Sequence, residues 1–185
     1  KIVAVQHHHA HIVSAMAENK IDGPVIGLSF DGTGYGSDQT VWGGEVLIVE
    51  EQAFTRAAHL DTVPMPGSAA AIKQPWRMAL SYLHRAFGER YRTLELPLLR
   101  GVTDERVRIV GEMIAKNVNA PQTSSLWRLF DAVAVLVGLR TEVAFEGQAA
   151  MELEMAAAKD EAKPYETGWT NGDPLRIPTE PIIQG

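Results

Sequence analysis

The feature that most limits the fold is a change of rhythm at Pro64-Met65-Pro66-Gly67-Ser68. Before this break the chain runs in short β-branched stretches: KIVAVQ, PVIGLSF, TVWGGEVLIVE and FTRAAHLDTV. Such runs, bounded by Gly and Asp clusters, read as strands. Between the first two lies VQHHHAHIVSAMAE, a helix expected from His8 to about Asn19 and closed by Lys20-Ile21-Asp22-Gly23-Pro24. After the break the apolar residues recur at helical spacing, in AAAIKQPWRMALSYLHRAF, DERVRIVGEMIAKNV, SSLWRLFDAVAVLVG and EGQAAMELEMAAAKD. The expectation is an α/β fold in three parts. Residues 1–63 form a strand-helix-strand segment with two further strands joined near Glu51-Gln52. Residues 64–160 form a mostly helical segment, and 161–185, rich in Pro and Gly, a connection into another sheet.

The balance of charge narrows the partners. A formal net charge of -6 argues against a non-specific grip on a nucleic-acid backbone, which needs a basic face. No apolar run approaches the roughly 18 residues of a spanning helix, so neither nucleic acid nor membrane is expected as a partner. With no cysteine in the chain, any metal must be held by nitrogen and oxygen. The chain opens on Lys rather than Met and stops in mid-phrase at PIIQG, as a fragment of a longer protein would.

Four of the six histidines, His7, His8, His9 and His11, fall within five positions. His7 and His11 are spaced i, i+4, which puts them on one helix face a turn apart, where two imidazoles can reach one metal ion. The plain alternative is a polar helix start. The zinc-protease pattern is excluded, because it needs Glu directly after the first His and His8 stands there. Asp31, at the end of the strand PVIGLSF, is a reasonable third ligand, and two His plus Asp would leave positions open for phosphate oxygens.

DGTGYGSD follows that strand as a turn with three glycines. Gly32, Gly34 and Gly36 would let backbone N–H groups approach a phosphate; equally they would serve a tight turn. No GK[ST] follows, and a strand rather than a helix comes next, so neither a P-loop nor a dinucleotide fingerprint is present. In SSLWRLFDAVAVLVG, Leu129, Val133, Leu136 and Val137 fit a core helix with Ser124 or Ser125 as N-cap and Asp131 as an early acid. In KQPWR the proline places Lys73 and Gln74 at a helix start or kink. Lys73 and Arg77 face either an anion or solvent.

Five segments in this order, VQHHHAHIVSAMAE, LSFDGTGYGSDQTVWGGE, PGSAAAIKQPWRMALSYL, NAPQTSSLWRLFDAVAVLVG and FEGQAAMELE, resemble the HypF family of carbamoyltransferases, which serve [NiFe]-hydrogenase maturation. The resemblance runs from residue 1 to about 158. It points to the HypF domain similar to the tRNA threonylcarbamoyl-transferring TsaD group. It therefore implies part of the fold shared by actin, Hsp70 and sugar kinases, in a cytoplasmic protein.

The resemblance also implies roles. His7 and His11 of HxxxH and the strand-end Asp31 would bind a divalent metal: zinc or iron, or magnesium. A further aspartate of that site would lie beyond Gly185. Asp31, Gly32, Thr33 and Gly34 would belong to the phosphate-binding hairpin. FDA resembles the FDK of the TsaD group, pointing to Asp131 at a ribose, and FEGQAA resembles its PGGPA turn, pointing to Gly147. Where the family pattern has Gly before the Arg of SSxGRLFDAV, this chain has Trp127 before Arg128. The implied chemistry is transfer of a carbamoyl group from an ATP-derived carbamoyl-adenylate to the C-terminal cysteine of HypE, the rest of the HypF chain supplying activation. For that chemistry His8 or His9 could take the thiol proton, and nothing in the sequence selects either one. Two alternatives stand beside this: a TsaD-like tRNA-modifying transferase, which HHHAH, DGTGYG, KQPWR and the acidic charge disfavour, and a non-catalytic nucleotide-binding module.

Overall fold

A computed structural model describes residues 2–50, 52–96, 101–158 and 163–185. These fall into two units: Lys1–Thr62 with Thr123–Leu126 and Gly168–Pro178, and Val63–Gln122 with Trp127–Thr167 and Thr179–Gly185. The join at Glu51, the last residues of the final expected helix (Lys159 and Asp160) and the expected boundary at 160/161 lie outside the described residues.

The first unit is a mixed α/β layer. Helix α1 (His7–Asn19) starts where the Gln6 side chain accepts from the His9 amide and stops at Lys20, whose left-handed backbone lets its amide reach back to the last turn. Strands β1 (Val25–Tyr35), β2 (Val41–Val49) and β3 (Phe54–Leu60) form an antiparallel meander. Within the stretch expected as a connection, Leu175–Ile177 adds a short parallel strand beside β3. Val41 pairs in parallel with Thr123. Ile12 and Met16 of α1 pack on Trp42, Leu47 and Val49, rimmed by Val13, Val25 and Phe54. Each large apolar side chain so buried contributes about 1.5–3 kcal/mol. Gly27 leaves the space that Ile12 fills.

Two local expectations are corrected. KIVAVQ is not a strand: residues 2–6 have no ladder partner among the described residues, and Ile2, Val3 and Val5 are exposed. β-branched propensity does not make a strand without a neighbour to bond. DGTGY is not the turn either, since β1 runs on through it to Tyr35 and the chain reverses at Gly36–Thr40, where the Gly36 amide donates to Thr40 O. Inside this stretch the ladder slips. Phe30 pairs with Gly44 and Gly34 with Trp42, so three residues of β1, Asp31 to Thr33, oppose Gly43 alone. This bulge shifts the strand's alternation. Gly27 faces α1 before it and Gly34 faces α1 after it.

The second unit is helical: α2 (Ala69–Lys73), α3 (Trp76–Phe87), α4 (Asp104–Lys116), α5 (Leu126–Leu136) from Trp127 on, α6 (Gln148–Ala156) and α7 (Glu180–Gln184). Pro75 separates α2 from α3, as a residue without an N–H must. The Lys73 carbonyl left over accepts from the Val143 amide. No helix among the described residues is long and apolar enough to cross a membrane.

Candidate metal centre

The first turns of α1 and the bulge of β1 bring three donor groups to one place. His7 Nε2 lies 2.6 Å from Asp31 Oδ2, His11 Nε2 lies 3.1 Å from His7 Nε2 and 3.9 Å from Asp31 Oδ2. All three ligand atoms fall within 4.8 Å of one another. Ligands held about 2.0–2.1 Å from a tetrahedral ion sit roughly 3.3 Å apart, and the three gaps bracket that value. The set of two imidazoles and one carboxylate fits zinc or ferrous iron better than magnesium, which prefers all-oxygen coordination. Both His7 and His11 are about half exposed, with side chains at 46% and 58%. The centre is therefore open to a ligand arriving from solvent.

Asp31 is held as an anion. Burial alone would raise its carboxyl, but hydrogen bonding from His7 and from the Gly32 and Thr33 amides outweighs this and keeps it below the ordinary carboxylate range. The Gly32 amide donates to Asp31 Oδ1 at 2.6 Å, leaving Oδ2 for the histidines. Gly34 has no room for a side chain because His7 and His8 press on it, and Gly36 has none because Trp42 and Asp38 do. Packing thus accounts for both glycines, and Thr33 stands exposed between Gly32 and Gly34.

His8 and His9 turn inward. His8 is fully buried, its Nδ1 taken by the Gln6 amide, and burial lowers its pKa. His9 Nε2 faces the Glu50 carbonyl at 3.2 Å. Both imidazoles are thus largely withdrawn from solvent.

Reasoning from sequence missed a buried network in the same unit. Glu45 is fully buried on β2 and accepts from Arg56 Nε (2.6 Å), the Gly43 and Gly44 amides and Ser124 Oγ. Arg56 also reaches Asp38 Oδ2 at 2.9 Å and lies over the Trp42 ring. The signal was present in Gly43-Gly44, since paired glycines inside a strand mark a close backbone approach. A side chain at Gly44 would strike the Ser124 carbonyl, and one at Gly43 the Asp31 carbonyl.

The other expected site residues belong to the second unit. Asp131 is buried on α5, 2.9 Å from the equally buried Arg128. Gly147, with φ of 84°, begins α6 in the left-handed region that favours glycine. It lines a groove of about 530 Å³ with Trp127, Phe130, Ala150, Met151 and Leu153. Trp127 is thus a wall of this groove.

Known proteins match most of the chain. The chain is 48% identical over 154 residues to the carbamoyltransferase HypF2 of Cupriavidus necator, covering 82% of the chain and 18% of that protein. It is 41% identical over 153 residues to HypF of Rhizobium leguminosarum, covering 83% of the chain and 20% of that protein. A crystal structure of full-length HypF in the phosphate- and nucleotide-bound form superposes with a TM-score of 0.88 at 42% identity, over 98% of this chain and 24% of that one. HypF of T. kodakarensis gives 0.83 at 33% identity, over the whole of this chain and 25% of that one. The chain therefore spans about a fifth to a quarter of these relatives. The family profile described as carbamoyltransferase, Kae1-like domain, second subdomain matches residues 27–185, and to that family, found in HypF proteins, this chain belongs.

Proposed function

We propose that this chain is the part of a HypF-type carbamoyltransferase that holds carbamoyl-adenylate and passes its carbamoyl group to the C-terminal cysteine of HypE, on the way to the cyanide ligand of [NiFe]-hydrogenase. Family membership supports the reaction class. The observation that carries the site is the meeting of His7, His11 and Asp31 on an open face. The phosphate and nucleotide named for the solved HypF relative support a nucleotide ligand. The actin, Hsp70 and sugar-kinase architecture is part of the same reading, as is a HypF chain that supplies the activation steps.

In this reaction a C–S bond forms between the thiolate and the carbamoyl carbon, the C–O bond to the phosphate breaks, and AMP leaves. His7, His11 and Asp31 would hold a divalent cation, which supplies charge neutralisation to phosphate oxygens when bound. Asp31 is preset for this as an anion fixed by two backbone amides. The histidines sit on a helix start clamped by Gln6, so the geometry precedes the ligand. The nucleophile comes from the partner, in keeping with a chain that has no cysteine.

The test is zinc affinity of the purified chain and of His7→Ala. Outer-shell changes at metal sites cost about 10–100-fold, so losing a direct ligand should weaken binding by roughly a hundredfold or more. Equal affinity in the two proteins would remove the site. Retention of the chain on a HypE C-terminal peptide, against the same peptide with its cysteine replaced by serine, tests the acceptor.

A further inference from the structure

The bulge that carries Asp31 leaves backbone groups of β1 out of register with β2, and one buried hydroxyl takes them up. Ser125 is fully buried, and its Oγ lies 2.6 Å from the Asp31 carbonyl and 3.0 Å from the Gly32 carbonyl. Ser125 is itself placed by two neighbours. The Thr123 hydroxyl accepts from its amide at 3.1 Å, and the Ser124 amide donates to Val41 O at 3.0 Å, which lays the segment along the start of β2. Gly43, the sole β2 residue opposite the bulge, has no side chain because the Asp31 carbonyl and the Ser125 Cα occupy that space.

The geometry points to Ser125 as a positioning residue for the metal centre, fixing the Asp31–Gly32 backbone so that the Asp31 carboxylate faces His7 and His11. This rests on the metal site proposed above. The physical reason is direct. Ladder bonds to β2 hold β1 up to Phe30 and again from Gly34. Between these points the peptide planes are free to rotate unless something else binds them. Rotation of the Asp31–Gly32 plane would swing the Gly32 amide off Asp31 Oδ1, and with it the orientation of Oδ2 toward the histidines. Ser124, the neighbouring hydroxyl, serves Glu45 instead and gives an internal control.

The experiment compares Zn²⁺ affinity, by competition with a chromophoric chelator, and the Co²⁺ absorption spectrum across the full chain, Ser125→Ala, Ser125→Thr, Ser124→Ala and His7→Ala. Ser125→Ala should bind Zn²⁺ about tenfold more weakly, the size seen when an outer-shell partner is lost, and should shift the Co²⁺ bands. Ser125→Thr keeps the hydroxyl and should restore both. Ser124→Ala should lower the melting temperature and leave affinity and spectrum unchanged. A Ser125→Ala protein that binds and absorbs like the unsubstituted chain, while His7→Ala has lost binding, overturns the role of Ser125 and leaves the metal site standing. An unsubstituted chain that binds no better than His7→Ala overturns both. Should Ser125→Ala not fold, Gly43→Ala, which keeps every hydroxyl but crowds the Asp31 carbonyl, carries the test: unchanged affinity there also overturns the inference.

Discussion

Glu45→Ala is expected to lower the unfolding free energy by about 3–5 kcal/mol, the range for removing one partner of a buried ion pair. Glu45 is the hub on which Arg56, the Gly43 and Gly44 amides and Ser124 converge, and it is wholly buried. Without it Arg56 keeps Asp38 at the surface end, the Ser124 hydroxyl at 3.4 Å and the face of Trp42. Two amides and a hydroxyl lose their acceptor, and an unmet buried polar group costs about 1–3 kcal/mol. Glu45→Gln keeps an acceptor oxygen and should cost clearly less. Urea denaturation of the three proteins at one pH measures both differences. A Glu45→Ala loss below about 1 kcal/mol would mean that water or Asp38 replaces the carboxylate, and the network would then be incidental to the fold.

Asp131→Ala is expected to cost a similar amount, about 3–5 kcal/mol at pH 8, for the same physical reason. It would leave Arg128 buried, with the exposed Glu146 3.5 Å away. Here pH separates causes. Burial, with Glu146 adding and Arg128 opposing, lifts the Asp131 carboxyl from an ordinary 3.8 to about 6. Between those values the folded chain holds a proton that the unfolded chain has released. The contribution of that proton is therefore complete below about pH 4 and is lost as pH rises through 6, while the pairing with Arg128 invoked at pH 8 is a separate contribution. Asp131→Asn, which cannot titrate but still offers Arg128 an oxygen, should remove that slope. Stability of Asp131→Asn followed from pH 4 to pH 8 checks this, and a slope equal to that of the unsubstituted chain would assign it to another group.

What the sequence revealed follows from how local each signal was. The helix at His7–Asn19 and the facing of His7 and His11 depend on spacing within one turn, and both were legible. The helices after the break at Pro64 were legible by their period, though Pro75 divides the first and the ends are shorter than expected. The bulge at Asp31–Thr33 was not legible, because a strand's register belongs to its partner, and Gly43 lies 12 residues further on than Asp31. Glu45 read as one acid in a β-branched run because Arg56 and Ser124 reach it from 11 and 79 residues away. KIVAVQ misled in the opposite sense: strong propensity, but no neighbouring strand among the described residues.

Both imidazoles stand on the opening stretch of α1, where a helix is most prone to unravel. One latch there is a side chain that ligates nothing. Gln6 accepts from the His9 amide, donates toward His8 and reaches the Tyr35 carbonyl, tying the helix mouth to the far end of β1. Loosening that latch would let the two rings wander independently without touching either of them. Affinity for a cation would then decline through disorder, not through loss of a ligand, and a survey of direct contacts would never name the residue responsible.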